Sequence, residues 1–328
     1  MTFQILCLSG GGYLGLYSVA VLAAIEEETE RPIAESFDLI AGTSVGGIVA
    51  LGLAAGASAA KILQAFLSGG DNIFSDRPPP GAIMEKVQLL MSARRAKFRQ
   101  EPLRKTIESI VGSDRIIGSL AKRVMIPAVN LSKGQPQVFK TAHHPSFKRD
   151  WRLPIVDVAL ATSAAPTYFP IHRIGGEMFA DGGLYANSPD QLAVHEAEYF
   201  LEQKLADIRV LSIGTTSANF SFSNAVGHDL GWTGWMSKQR LTSAMIASQQ
   251  LNTDYVMRHR LGPSYVRIDR VQSKEQERQL SLDVASPAAK SDLLALAEAS
   301  AREHLPRPDL EAILAHKAPP ATFHNLEK

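Results

Sequence analysis

The sequence predicts an α/β fold, in which a largely parallel β-sheet is covered on both faces by helices. Three observations carry this. Short apolar runs end at glycine clusters, helical stretches follow them, and the two kinds of segment alternate along the chain instead of segregating. Such a fold needs a sizeable core, and 328 residues with 45% hydrophobic and 20% charged side chains supply one. The same composition excludes a disordered or fibrous chain.

Residues 3–8 read as a buried strand that stops at Ser9-Gly10-Gly11-Gly12, after which Leu16, Val19, Ala20 and Ala23 recur at helical spacing up to the acidic stretch 26–30. Residues 37–41 form a second buried strand, followed by Gly42-Thr43-Ser44-Val45-Gly46-Gly47 and an apolar helix to about Ala55. The uncharged stretch 39–60 is long enough to cross a bilayer as one helix. Its five glycines and the turn at Gly42-Thr43-Ser44 make it a strand end, a sharp turn and a buried helix instead. Residues 75–81, with three consecutive prolines, predict an exposed loop, a hinge or the edge of a lid. Residues 83–105 carry a local charge of +5, and Met84, Val87, Leu90 and Met91 share a helical face. This is either a basic amphipathic helix suited to anionic lipid or a nucleotide, or a solvated helix with one buried stripe. Further strands are expected at 123–130, 137–141, 169–173 and 208–213, and helices at 155–163 and 189–204. Residues 239–257 read as helical, 265–268 as extended and 287–304 as helical.

A net charge of +1 excludes whole-molecule electrostatic capture of nucleic acid, and no nucleic-acid partner is expected. The lone Cys7 excludes an intramolecular disulfide and a Cys-x-x-Cys knuckle. A single cysteine fits a reducing cytoplasm, where the protein is expected, and residues 1–8 show no secretory signal. No H-E-x-x-H and no calcium loop occurs, so no metal is expected.

Gly42-Thr43-Ser44-Val45-Gly46 is a G-x-S-x-G pentapeptide between a predicted strand and a predicted helix. A serine nucleophile has to stand on a sharp turn with its oxygen exposed, and flanking glycines avoid clashes there; a simple helix N-cap serine is the plainer alternative. Gly10-Gly11-Gly12-Tyr13-Leu14-Gly15 matches G-x-G-x-x-G, with Glu35 twenty residues after Gly15. It fits a dinucleotide loop, an oxyanion hole or a tight turn, but not a phosphate-binding P-loop, because Leu16 stands where lysine is required. Asp181-Gly182-Gly183 is either a turn or a base backed by two glycines. His195, His228 and His259 follow Asp181 and fit the Ser, acid, His order of an α/β-hydrolase triad.

The glycine triplet after the first strand, G-T-S-V-G after the second and the later D-G-G together resemble the patatin-like phospholipases. The stretch from Ala161-Thr162-Ser163 through Tyr168-Phe169 is similar to that family's sequence before its aspartate, so motif support covers residues 3–215. The wording around Leu8-Ser9-Gly10, Phe37-Asp38-Leu39, Asp181 to Asn187 and His259-Arg260-Leu261-Gly262 resembles the cyclic-nucleotide-activated phospholipase effectors of bacterial anti-phage (CBASS) systems. The resemblance implies a three-layer α/β/α sandwich with a mostly parallel central sheet and a nucleophile elbow, in one domain over 1–328. Its catalytic core would span 3–215, with a helical extension at 236–328 packed on it. Implied too is a Ser–Asp dyad in which Ser44 is the nucleophile and Asp181 the general base. Gly10, Gly11, Gly12 and Val45 would form the oxyanion hole, with Gly15, Gly42, Gly46, Gly182 and Gly183 as motif glycines. Two departures stand out: Leu14 replaces a basic residue common in the family's glycine loop, and Ser9 replaces an aspartate.

By the same resemblance the enzyme would cleave acyl esters of membrane phospholipids without metal or cofactor. A cyclic dinucleotide such as 3′,3′-cGAMP or cUMP-AMP, made by a partner nucleotidyltransferase, would activate it in anti-phage defence by membrane degradation. A homo-oligomer in peripheral contact with the inner membrane is expected. The residues that bind the nucleotide are not implied; Trp232, Trp235 and Arg240 are of a type that stacks on bases, but a buried aromatic pair is the favoured reading of the two tryptophans. Three other readings stay open: a constitutive esterase of small or lipid esters, a dinucleotide-binding oxidoreductase built on Gly10–Gly15, and a catalytically silent scaffold.

Overall fold

Alternation along β1 (Phe3–Leu8) decides which side of the sheet each layer occupies. Leu6 and Leu8 enter one core cluster, Ile5 and Cys7 the other, and all four are fully buried. A strand buried on both faces is what a continuous apolar run without polar alternation produces. The computed structural model describes residues 2–74, 95–216, 226–231, 234–235 and 240–324. The proline-rich loop at 75–81, residues 83–94 of the basic segment and Trp232 lie outside the described residues.

The helix after the glycine loop is α1 (Gly15–Thr29). At its end the Glu26 carboxylate accepts from the Ile33 amide at 2.9 Å and from the Ala59 amide at 2.7 Å. An acid at the end of α1 therefore serves as the anion at the start of the helix that begins at Ala59, where the helix dipole favours negative charge. Strand β2 (Leu39–Gly42) and helix α2 (Val45–Ala54) follow, and every residue of α2 is buried. This explains the uncharged stretch: an interior helix is apolar all round. Among the described residues no helix is long and apolar enough to cross a membrane. Helix α3 (Ala59–Ile73) starts at Ser58, whose hydroxyl accepts from the Lys61 amide, and α4 (Gln100–Val111) packs against it.

The chain continues through β3 (Arg123–Asn130), β4 (Gln135–Lys140), α5 (Ile155–Thr162), β5 (His172–Ile174), β6 (Glu177–Asp181), α6 (Gly183–Ala186), α7 (Asp190–Tyr199) and β7 (Ile208–Ile213). After them come α8 (Arg240–Leu261), β8 (Tyr265–Ile268), α9 (Gln276–Gln279), α10 (Pro287–His304) and α11 (Pro308–Leu314). The sheet runs β5-β6-β3-β2-β1-β7-β8, with β4 also on β3. From β3 to β8 the strands are parallel, as expected, whereas β4 and β6 run antiparallel to β3. Residues from α1, α2, α3, α4, α5 and α10 join the core on one face, and residues from α7 and α8 join it on the other. The result is three layers.

One edge of β3 is divided. β4 pairs with β3 along Met125–Asn130, so β2 and β6 share the opposite edge, β2 on Arg123–Met125 and β6 on Ala128–Asn130. Because β6 is antiparallel, the two strands aim their C-terminal ends at each other across a gap at Pro127. The carbonyl of Pro127 accepts the Thr162 hydroxyl at 2.6 Å, and a residue's N–H and C=O lie on the same strand edge. The missing proline donor therefore costs no ladder bond in a central strand.

The C-terminal segment is part of the same body. β8 extends the parallel sheet beside β7, and α10 packs along α1, where the Tyr17 hydroxyl donates to Ser300 Oγ at 2.8 Å.

Candidate active site

Ser44 lies just beyond the C-terminal end of β2 and Asp181 ends β6, so the divided edge of β3 brings them together. Ser44 Oγ donates to Asp181 Oδ2 at 2.7 Å. The residue between β2 and α2 has to reverse the chain within one step, and Ser44 does so at φ 55°, ψ −125°, a conformation that costs a non-glycine residue about 1–3 kcal/mol. Neighbours hold it there. Its amide donates to Thr162 Oγ1 at 3.0 Å, and Thr43 Oγ1 donates to the Ala186 carbonyl at 2.6 Å. Gly42 and Gly46 are needed for closeness: a Cβ on Gly42 would collide with the Gly46 carbonyl, and one on Gly46 with the carbonyl of Leu8.

Asp181 is buried, and its second oxygen accepts from the Gly183 amide at 2.7 Å. Burial raises its carboxyl to about 6, against the opposing hydrogen bonds from Ser44 and Gly183. A carboxylate poised there is ionised at neutral pH yet basic enough to take a hydroxyl proton. Gly182 packs its Cα against the Pro127 carbonyl, and Gly15 packs against Val45, so the motif glycines are closely approached by their neighbours.

The glycine loop faces the same point. Gly12 adopts φ +55°, and a Cβ there would strike the Leu282 carbonyl, which also accepts from the Tyr13 amide at 2.8 Å. Among the described residues the amides of Gly11, Gly12 and Val45 have no protein acceptor, and all three residues line the cavity beside Ser44. Gly10 differs from the expectation. Its amide donates to the Asn187 carbonyl at 2.9 Å, and its carbonyl accepts from Asn187 Nδ2 and Thr215 Oγ1, so it anchors the loop instead of offering a donor. Leu14 is buried and Ser9 Oγ shares a 2.9 Å hydrogen bond with Ser188 Oγ, so neither departure reaches the cavity.

Histidine does not complete a triad. His195 stacks on Tyr199, His259 bonds the Tyr255 carbonyl and His228 is exposed, while both Asp181 oxygens are taken by Ser44 and Gly183. No metal cluster occurs among the described residues. Arg240 donates to the Gly234 carbonyl and Trp235 is half-buried. The five basic residues of the charged segment that are described, Arg95, Lys97, Arg99, Arg104 and Lys105, lead into and begin α4; Lys97 pairs with Asp283 at 2.8 Å and Arg104 with Asp157 at 3.1 Å.

Behind Ser44 opens a cavity of about 140 Å³ with apolar walls, including Ile48, Phe66, Phe74, Leu103 and Phe169. A serine hydroxyl bonded to a buried carboxylate at the mouth of an apolar slot suits an ester with a hydrocarbon acyl chain. Residues 6–194 match the patatin family, described as patatin-like phospholipase. The chain belongs to the patatin-like phospholipases. This patatin-like chain is also 40% identical over 327 residues to a cGAMP-activated phospholipase of Pseudomonas aeruginosa, covering 99% of this chain and 95% of the relative. A protein of the same name from Vibrio cholerae is 40% identical over 88% of each chain. One from Escherichia coli is 37% identical over 89% of this chain and 86% of its own length.

Thr162, Gln249 and Leu282 are site-building residues that motif reading passed over. Gln249, on α8, accepts from the Asn187 amide and donates to the Gly183 carbonyl, each at 3.1 Å. Only Thr162 carried a sequence signal, inside the stretch from Ala161 to Phe169.

Proposed function

We propose that the protein is a phospholipase that hydrolyses acyl esters of membrane phospholipids with the Ser44–Asp181 dyad and is switched on by a cyclic dinucleotide. The observation that carries this is the 2.7 Å hydrogen bond between Ser44 Oγ and Asp181 Oδ2 at the mouth of an apolar cavity. Ser44 Oγ attacks the acyl carbonyl carbon while its proton passes to Asp181. The carbonyl oxygen becomes an oxyanion that the amides of Gly11, Gly12 and Val45 can receive, helped by the N-terminus of α2. Collapse expels the lysolipid oxygen, which takes the proton from Asp181 and leaves an acyl-serine. Water, deprotonated by Asp181, then attacks the acyl carbon and releases the fatty acid with Ser44 restored.

The activator reading is supported by the relatives named as cGAMP-activated, which align along most of this chain. A partner nucleotidyltransferase, a homo-oligomeric state and a cytoplasmic enzyme that meets the inner membrane when active belong to the same proposal. The test is fatty-acid release from phospholipid vesicles, with chelator present, for wild type and Ser44→Ala and with and without 3′,3′-cGAMP and cUMP-AMP. Release is expected only from wild type with a cyclic dinucleotide, with Ser44→Ala slower by at least about 10³-fold. Wild-type release without nucleotide would leave a constitutive acyl hydrolase, and equal release by Ser44→Ala would overturn the dyad.

A further inference from the structure

Helix α8 buries one stripe, Thr253, Met257 and Leu261, spaced four residues apart. At 100° per residue the opposite side carries Leu241, Met245, Leu251 and Tyr255, with the uncharged Ser248 and Asn252 between them. The four hydrophobic ones are exposed, Leu251 to 71% and Tyr255 to 65%. An outward helix face normally carries charge. Here no charged residue occurs between Arg240 and Asp254. The apolar stripe runs for about 21 Å along the helix. It is continuous with the active-site mouth: Met245 belongs to both, and Leu184, itself exposed on α6, lines the mouth beside it.

We infer that this face of α8, with Leu184, is the surface by which the protein lies on a phospholipid bilayer. The inference rests on the phospholipase reading for its occupant, because the apolar stripe adjoins, through Met245, the entrance by which an acyl chain would pass from the membrane into the cavity. Leucine, methionine and a tyrosine with a polar tip are the side chains an interfacial helix buries to the depth of the acyl boundary. Arg258 and Arg260 at the far end of the helix are paired with Asp254 and Glu198, so burial of apolar surface drives the docking. α8 also holds the site through Gln249, which places the mouth against the membrane when the helix docks.

The first test uses Leu251→Cys in a Ser44→Ala background, labelled with an environment-sensitive fluorophore; Cys7 is fully buried, which directs labelling to the new thiol. Phosphatidylethanolamine–phosphatidylglycerol vesicles, added with and without 3′,3′-cGAMP, are expected to shift the emission to the blue. A label that stays in water at every vesicle concentration overturns the inference. The second test is Leu241→Glu with Leu251→Glu, neither of which lines the cavity. Flotation with vesicles and vesicle hydrolysis are expected to fall together by about tenfold or more, with hydrolysis of the soluble ester p-nitrophenyl butyrate retained. Flotation like wild type overturns the inference, and so does lost flotation accompanied by a changed oligomeric mass in light scattering, which makes the face a contact between copies. If the doubly substituted protein fails to fold, the labelled cysteine decides. Wild type that floats but releases no fatty acid sinks the phospholipase reading and leaves the docking surface standing.

Discussion

In the proposed mechanism Asp181 sets the pH at which the dyad works. Its carboxyl is raised to about 6 by burial, and only the ionised form accepts the Ser44 proton. kcat/KM is therefore expected to rise with pH through about 6 and then level off, as measured on a soluble ester whose own ionisation does not change in that range. Asp181→Asn should remove that limb and lower kcat by about 10²–10⁴-fold. Thr162 acts one step back, accepting from the Ser44 amide and donating to the Pro127 carbonyl. Thr162→Val keeps the shape but strands both groups, and the unfolding free energy in urea should fall by about 1–3 kcal/mol. kcat should fall with it while KM stays near wild type, since the strained turn at Ser44 loses a restraint. Unchanged kcat in Thr162→Val would show that the elbow holds itself.

At the scale of elements, the strand–turn–helix around Ser44 depends on how closely α2 approaches β1. A methyl group on Gly46 meets the Leu8 carbonyl, which is backbone and cannot rotate away. Gly46→Ala is expected to destabilise the fold by about 2–4 kcal/mol, read from denaturant midpoints, and to abolish activity in whatever folds. This region was legible in the sequence because glycines that permit close approach sit beside an apolar strand and an apolar helix. The insertion of β6 was less so. Its five residues are too short to show a period, and their partner on β3 lies about 50 residues earlier. A signal did exist in Gly175-Gly176, the two-residue loop that joins β5 to β6. Gly10 shows the limit at the other end. Its place in the glycine triplet was plain, but whether its amide faces the cavity or Asn187 is decided by α6 and the loop after it, far away in sequence.

The whole molecule closes around its C-terminal third. β8 covers the edge of β7, and Leu293, Leu296 and Ala297 of α10 belong to the same core as α1. A chain ending at residue 262 would leave an open parallel edge and uncover α1. It is expected to aggregate or to show no cooperative melting by circular dichroism, whereas full-length protein melts cooperatively. A soluble, active 1–262 fragment would show that the motif-bearing half is self-sufficient. The motifs with a chemical reading end at Gly183, so the sequence marks where the proposed chemistry lies and says little about what that chemistry needs in order to fold.

The divided edge of β3 has a consequence for control. Two strand registers on a single third strand act as rulers, fixing Ser44 and Asp181 at contact distance through backbone ladders that run into the core. A messenger of the kind proposed above would have no assembly of the Ser44–Asp181 pair left to perform. What it can govern is admission: whether the mouth is pressed to a source of substrate. Such a switch would leave the hydrolysis of small soluble esters nearly untouched while changing the attack on bilayers by orders of magnitude.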